Sequence, residues 1–237
     1  MNRQLRFDLT RPTSYRREEF IVSAANAEAV RMLESGAPWH GGALALVGPK
    51  DSGKTHLALV WAERTGAFLI NGGDPVDDLA GLSGSAVLLE DAERASAEVL
   101  FHLINMAGEP GGALLLTSRA LPGAWPAALP DLRSRLNALP IAELGAPDDD
   151  ILQGVLEKFF RERNIRPADE VFAYLIRRME RSVPVARELV ERLDEAAAAE
   201  NREISRGLAR EVLEDGVQTA DLFATSLAKP ASSGDKN

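Results

Sequence analysis

The stretch "ALALVGPKDSGKT", residues 43–55, determines the fold class. Five apolar residues lead into "GPKDSGKT", which fits the pattern G-x-x-x-x-G-K-[ST], and "HLALVWAER" follows as a helix. In this pattern glycines permit a tight turn whose amides face phosphate oxygens, the lysine reaches the terminal phosphates, and the hydroxyl ligates magnesium. We therefore expect a strand, a phosphate-binding loop and a helix, with ADP or ATP and Mg²⁺ as ligands. The predicted nucleotide-binding residues are Gly48, Pro49, Lys50, Asp51, Ser52, Gly53, Lys54, Thr55 and His56.

Four more short apolar runs follow this loop, at 67–70, 86–89, 113–116 and 138–144. They are continuously apolar, which is typical of parallel strands covered on both faces by helices. After Gly145 the acidic "PDDD" at 147–150 and apolar residues at helical spacing predict helices only. The predicted fold class is therefore α/β, with a three-layer parallel five-stranded sheet over 13–146 and a small all-α lid domain over 147–216. Residues 217–237 are expected to be a tail.

Composition excludes several classes of protein. The 237-residue chain has no cysteine and three histidines, which excludes disulfides, thiolate catalysis and cysteine-ligated zinc. The formal net charge of −9 argues against broad non-specific DNA binding. No apolar run has the length of a membrane span. We expect a cytoplasmic protein without a membrane partner, whose metal is carried by a ligand.

A pair of acidic residues follows another buried strand, in "AVLLED" at 86–91. Nucleotide-hydrolysing proteins commonly place Asp first, near the magnesium, and Glu second, near the attacking water. Here Glu90 comes first and Asp91 second. We assign Glu90, with Thr55, to the magnesium and Asp91 to catalysis, and the swapped order predicts weak hydrolysis at most. The alternative is that both acids simply solvate the end of a strand.

Three further motifs carry a resemblance to a known family. They are "LLLTSRALP" at 114–122, "DLRSRL" at 131–136 and "VARELVERL" at 185–193. Together with the phosphate loop they resemble the AAA+ module of the DnaA-related family, in particular Hda-type regulatory inactivators of DnaA, over most of residues 4–215. The resemblance implies an AAA+ fold, an arginine finger at Arg135 that acts in trans, and a sensor 2 residue at Arg187. Arg133 is a rival for the finger. Arg119 departs from the family pattern, since DnaA has an acidic residue there.

The N-terminal third contributes two more motifs by resemblance. "SYRREEFIVSAANAEAV" at 14–30 resembles the segment that contacts adenine, which assigns Tyr15, Phe20, Ile21 and Val22 to the base; alternatively these residues only cover the sheet. "QLRFDL" at 4–9, within a peptide over 1–12, resembles the segment with which Hda-type proteins dock on the replication sliding clamp. The anchors would be Gln4, Leu5, Phe7 and Leu9, and the alternative is an edge strand or a hydrophobic staple.

The resemblance implies a function for the whole chain. We expect an adaptor that binds ADP or ATP with magnesium, docks on the sliding clamp (beta subunit), and stimulates hydrolysis of DnaA-bound ATP, so that initiation of DNA replication is negatively regulated. Only a short segment follows the lid, where DnaA continues into a DNA-binding domain, so DNA is expected to be reached only through the clamp. The alternative is a self-contained AAA+ ATPase of the helicase-loader type. Self-association and the resident nucleotide are left open.

Overall fold

The computed structural model describes residues 15–35, 38–76, 78–127 and 129–215. The clamp-docking peptide predicted at 1–12 and the tail predicted at 217–237 lie outside these residues. The chain divides into two compact units between Ala146 and Pro147.

The first unit contains a five-stranded sheet. Its strands are β1 (Ala43–Val47), β2 (Phe68–Asn71), β3 (Ala86–Glu90), β4 (Ala113–Ser118) and β5 (Ile141–Glu143). All neighbours are parallel, in the order β2-β3-β4-β1-β5. All five residues of β1 are buried, as expected for a central strand covered on both faces. The predicted parallel five-stranded sheet is therefore confirmed.

Helices cover both faces of this sheet. They are α1 (Ala27–Glu34), α2 (Lys54–Thr65), α3 (Ala97–Ala107) and α4 (Pro130–Ala138). Because side chains alternate along a strand, Leu44 and Leu46 pack with α1 and α2. Leu114 and Leu116 pack with α3 and α4 on the opposite face. The result is the three-layer arrangement that the continuous apolar runs predicted.

The fifth strand is shorter than predicted. The apolar run 138–144 predicted a strand along its whole length, but Ala138 ends α4 and only Ile141–Glu143 forms β5. Pro140 explains the difference, because proline disfavours a helical conformation in the preceding residue and cannot donate a hydrogen bond to the sheet. Leu139 belongs to the apolar run although it lies outside the strand, because its side chain packs in the core beside α3 and α4.

The second unit is entirely helical over the described residues. It contains α5 (Asp149–Glu162), α6 (Asp169–Ile176), α7 (Val183–Glu200) and α8, over 206–215. Asp148 and Ser182 accept hydrogen bonds from the third following amide and so begin α5 and α7. Arg163 at the end of α5 is ion-paired with Glu191 of α7 at 2.9 Å. Over the described ranges, none of the helices is both long and apolar enough to span a membrane.

Adjacent glycines before β1 provide a test of the packing that positions this strand. Gly41 and Gly42 both have a positive φ, +67° and +73°. A Cβ on Gly42 would lie 1.7 Å from the carbonyl oxygen of Ala107, whereas one on Gly41 would have nothing within 4 Å. We expect Gly41→Ala to lower the free energy of unfolding by about 1 kcal/mol from backbone strain alone. Gly42→Ala should lower it by at least about 2 kcal/mol more, because the clash is added. Urea unfolding of both variants measures the difference, and equal losses would contradict the close approach of the turn before β1 to the end of α3.

Candidate nucleotide-binding site

The phosphate-loop motif forms a turn between β1 and α2. Gly48 follows β1, and its N–H donates to the carbonyl of Ser118 at 3.2 Å. A Cβ on Gly48 would lie 2.6 Å from the carbonyl oxygen of Leu144, so a larger residue does not fit without a shift. Gly53 has φ +92°, a conformation that favours glycine. The two glycines of the motif are therefore required for different reasons, close approach at Gly48 and backbone conformation at Gly53.

Lys54 occupies the interior of this turn. Its Nζ donates to the carbonyls of Gly48 at 2.8 Å and Pro49 at 2.7 Å. Burial lowers the pKa of Lys54, and the positive charge of Arg119 lowers it further. The carboxylates of Glu93, Asp91 and Asp51 act on the pKa in the opposite direction. The lysine thus lies among charges of both signs, and phosphate oxygens would offer it stronger acceptors than two neutral carbonyls.

Ser52 is the second polar group that suits a phosphate. The residue is buried, and its Oγ lacks a hydrogen-bond partner among the described residues. This oxygen lies inside the loop, since a Cβ on Gly48 would be 2.9 Å from it. A hydroxyl can donate to a phosphate oxygen, which would satisfy it. The loop therefore fits a polyphosphate at the N-terminus of the 12-residue helix α2.

The two residues after Lys54 have different surroundings. Thr55 is exposed in the first turn of α2. The Nε2 of His56 donates to the carbonyl of Arg16 at 2.9 Å, and its ring makes edge contacts with Tyr15 and Phe20, with centroids 5.5 and 5.3 Å away. His56 therefore connects α2 to the segment assigned to adenine.

The adenine segment lies beside the loop. Phe20 is buried, and its ring would be 3.0 Å from a Cβ on Gly53, so the ring packs directly against the loop backbone. Tyr15 and Val22 are 39% and 45% exposed, and Ile21 is half-buried. The carbonyl of Ile21 accepts a hydrogen bond from Asn26 at 2.9 Å. Phe20 thus has a packing role already, and Tyr15 and Val22 present apolar surface to solvent; contact of these four residues with a base remains a prediction.

The swapped acidic pair lies at the end of β3. Leu88 packs on the α2 face of the sheet, so Glu90, two residues later, belongs to that face as well. Asp91 has a left-handed backbone, φ 48°, and its N–H donates to Thr117 Oγ1 at 3.2 Å. Its carboxylate lies 3.8 Å from Arg94. Glu90 therefore belongs to the face of the sheet that carries Thr55, whereas the Asp91 carboxylate has a cation of its own nearby.

Magnesium was assigned to Thr55 and Glu90 from the motif. The described part of the chain contains no group of three or more His, Cys, Asp or Glu side chains that could hold a metal ion. A magnesium ion carried by a nucleotide keeps several waters and is otherwise held by substrate phosphates and one or two protein side chains. Thr55 and Glu90 would complete the shell of a nucleotide-bound ion.

The last residue of β4 and the residue after it make two sets of hydrogen bonds, and the sequence did not predict the second set. Ser118 Oγ donates to the carbonyl of Ala120 at 2.8 Å and accepts from its N–H at 3.0 Å, so this hydroxyl is used within its own turn. The N–H of Arg119 donates to Glu93 Oε1 at 3.2 Å. Glu93 is thereby placed at the site, although no motif singled it out. The sequence feature that could have indicated Glu93 is its position two residues after Asp91, in "EDAER".

The two candidate finger arginines on α4 have different environments. Arg133 donates to the carbonyls of Gly123 at 2.6 Å and Trp125 at 2.8 Å. The Arg135 side chain is 40% exposed, and its Nε lies 3.4 Å from Asp131, one turn earlier on α4. Its guanidinium carbon is 5.2 Å from the ring centroid of Phe101. Arg133 therefore fixes the chain before α4, and Arg135 reaches solvent.

Arg187, the predicted sensor 2 residue, lies in the first half of α7. Its guanidinium carbon is 4.2 Å from the ring centroid of Phe159 of α5, within the helical unit. This cation–π contact orients the arginine without using its hydrogen-bond donors. Binding of a nucleotide by Arg187 remains a prediction.

Comparisons with known proteins identify the fold. No family model matches the chain. An uncharacterized protein of Haemophilus influenzae is 28% identical over 182 residues, which are 70% of this chain and 79% of that protein.

Among solved structures, domain III of the Thermotoga maritima replication initiator DnaA has a TM-score of 0.66 at 17% identity, covering 85% of this chain and 96% of that one. A DnaA bound to AMPPCP and single-stranded DNA has a TM-score of 0.62 at 20% identity, covering 94% and 77%. A variant of Thermotoga maritima RuvB has a TM-score of 0.62 at 18% identity, covering 80% and 69%. The chain therefore has the AAA+ fold that DnaA and RuvB share.

The position of Lys54 predicts a pH dependence of nucleotide binding. The pKa of Lys54 is lowered in the unliganded protein, and a bound polyphosphate would favour the charged ammonium and raise that pKa again. Binding should therefore take up protons at alkaline pH, and the affinity for ADP should fall as the pH rises through the lowered pKa. Titration calorimetry in two buffers of different ionisation enthalpy, at neutral and at alkaline pH, measures this uptake. Lys158→Ala, on α5, should keep the same dependence; proton release on binding would contradict the assignment of Lys54.

Proposed function

We propose that this chain is a DnaA-related AAA+ adaptor that stimulates hydrolysis of ATP held by DnaA and so negatively regulates the initiation of DNA replication. In this proposal the chain binds ADP or ATP with Mg²⁺ in its own phosphate loop, docks on the sliding clamp through its N-terminal peptide, and presents Arg135 to the nucleotide of its partner. The shared AAA+ fold and the DnaA bound to AMPPCP support nucleotide binding here.

The contrast between Arg133 and Arg135 carries the proposal. A finger arginine acts because its guanidinium neutralises charge that develops on the transferred phosphoryl group of another subunit. Arg133 cannot do this without giving up two backbone carbonyls, those of Gly123 and Trp125. Arg135 would give up its 3.4 Å contact with Asp131, an exposed pair of a kind that contributes little to stability, and its cation–π contact with Phe101 at 5.2 Å. Of the two, Arg135 is the arginine that a partner's nucleotide can use at small cost.

The charge of the chain supports an indirect route to DNA. A net charge of −9 opposes direct binding to a phosphate backbone. A clamp that already encircles DNA would remove the need for a basic surface. The proposed clamp contact rests on the pattern of Gln4, Leu5, Phe7 and Leu9, in which an extended segment inserts spaced apolar anchors into a preformed pocket.

Stimulation of DnaA should depend on Arg135. Arg135→Ala should lower clamp-dependent ADP production from ATP-bound DnaA by at least about a hundredfold, since a finger arginine supplies factors of this size or larger. The affinity of the Arg135→Ala variant for the nucleotide in its own phosphate loop should not change. Arg210→Ala is a matched control, because Arg210 is an exposed arginine with an ion-pair partner one turn away, Glu214 at 3.2 Å. Arg133→Ala should instead lower the melting temperature. If the Arg135→Ala variant stimulated hydrolysis as strongly as the wild type does, the proposed role of Arg135 would be refuted.

Clamp docking should depend on four residues of the N-terminal peptide. Gln4→Ala and Phe7→Ala should each weaken binding to the purified clamp at least about tenfold, as expected when an interface anchor is truncated. Arg6→Ala and Asp8→Ala alter neighbouring residues outside the proposed anchors and should bind nearly as the wild type does. Surface plasmon resonance with immobilised clamp measures all four. Equal affinities across the set would refute docking by this peptide.

A self-contained ATPase of the helicase-loader type is the competing function, and the complete phosphate loop with Lys54 in its interior favours it. Its signature would be steady ATP turnover by this chain alone, insensitive to Arg135→Ala and to Gln4→Ala.

A further inference from the structure

Two buried side-chain oxygens of the described residues have no hydrogen-bond partner: Ser52 Oγ and Glu93 Oε2. Native proteins rarely leave such atoms unsatisfied, because each costs free energy when it is removed from water, and a carboxylate oxygen costs more than a hydroxyl. Ser52 belongs to the phosphate loop. The position of Glu93 relative to that loop decides whether its unsatisfied oxygen serves the same site.

Glu93 is joined to the phosphate loop by a short chain of contacts. It lies in the 3-10 turn Ala92–Arg94, directly after β3 and Asp91. Its Oε1 accepts the N–H of Arg119, which follows the last residue of β4. That last residue, Ser118, pairs with Val47 in the sheet, and its carbonyl accepts the N–H of Gly48. The charge of Glu93 also acts on Lys54, since it opposes the lowering of the lysine pKa. Glu93 therefore lies close to the phosphate loop.

The chemistry of the missing partner can be deduced from the acceptor. An ionised carboxylate oxygen only accepts hydrogen bonds, so Glu93 Oε2 requires a donor. The phosphate oxygens of a nucleotide at neutral pH are acceptors too and cannot supply one. A water molecule can, since it donates to the carboxylate while its oxygen faces the terminal phosphorus. This is the arrangement that a water-orienting carboxylate provides in phosphoryl transfer.

Asp91, the residue assigned to catalysis from its place in the sequence, is less suited to this task. Its backbone is left-handed, its N–H is used by Thr117, and its carboxylate lies 3.8 Å from Arg94. Its side chain is also one methylene shorter than that of Glu93. The unsatisfied oxygen is on Glu93, whose other oxygen is held by the backbone amide of Arg119.

We propose that Glu93, rather than Asp91, is the carboxylate that orients and deprotonates the attacking water for slow hydrolysis of ATP bound to this chain. The inference rests on the nucleotide site of the proposed function. The water oxygen forms a bond to the terminal phosphorus as the bond from that phosphorus to the bridging oxygen breaks, and ADP leaves with the electron pair of the broken bond. One water proton passes to Glu93 Oε2 and then to solvent, so that ATP and water give ADP, inorganic phosphate and a proton.

Three carboxamide substitutions test this role: Glu93→Gln, Asp91→Asn and, as a control for the loss of a charge, Glu98→Gln in the exposed first turn of α3. Gln can still accept the N–H of Arg119, so the fold should persist, and thermal unfolding checks it. Single-turnover hydrolysis of radiolabelled ATP with excess protein should fall at least about tenfold for Glu93→Gln only, as expected for loss of a general base. Titration calorimetry should show that Glu93→Gln raises the ratio of ATP to ADP affinity at least about threefold, because a negative charge near the terminal phosphate is removed.

Each outcome of this experiment has a definite meaning. Loss of hydrolysis and a higher affinity ratio in Glu93→Gln alone would support the proposal. Wild-type hydrolysis by Glu93→Gln, or a loss confined to Asp91→Asn, would overturn it. Wild-type protein that binds ATP but never hydrolyses it in a single turnover would overturn it as well. Wild-type protein that binds neither nucleotide would instead refute the nucleotide site of the proposed function, and the two failures can therefore be told apart.

Discussion

The parallel pairing of β1 with β4 and β5 is the constraint on which the candidate site depends. The N–H of Gly48 donates to Ser118 at the end of β4, and the N–H of Leu144 at the end of β5 donates to Val47. The start of the phosphate loop is thereby fixed between two neighbouring strands, with no room for a side chain at Gly48. Because all strands run in the same direction, their carboxyl ends meet at one edge of the sheet, which is where ligands bind in open α/β sheets.

Charge at this edge is balanced locally. Lys54 is half-buried with two carbonyls as acceptors, and Arg119 adds a second cation nearby. Glu93, Asp91 and Asp51 supply opposing charge. Burying one sign of charge alone would be costly, and a mixed set lowers that cost while it leaves room for an anion to compete for the cations. The same mixture includes the Glu93 carboxylate oxygen that lacks a hydrogen-bond donor.

The arginines show how the surroundings divide one residue type among several tasks. Arg133 and Arg135 are two residues apart on α4, yet Arg133 donates hydrogen bonds to two backbone carbonyls and Arg135 reaches solvent. A helix turns by about 100° per residue, so side chains two positions apart point in very different directions. The resemblance of "DLRSRL" to a finger segment assigned the finger to Arg135, with Arg133 as a rival. The carbonyls of Gly123 and Trp125 give the two arginines different surroundings, and the identity of the finger stays a prediction.

The sequence by itself determined the parts of this protein that local pattern encodes: the phosphate loop after β1, the parallel strands and the change to helices at residue 147. Glycine spacing and continuous apolar runs suffice to predict these parts, because turn geometry and the pattern of burial depend on residues that are close together in the sequence. Only the tertiary structure decided that β5 begins after Pro140, that Phe20 packs against Gly53, and that Glu93 belongs to the site. The contact between Glu93 and Arg119 joins residues 26 positions apart, and two strands must first lie side by side before it exists.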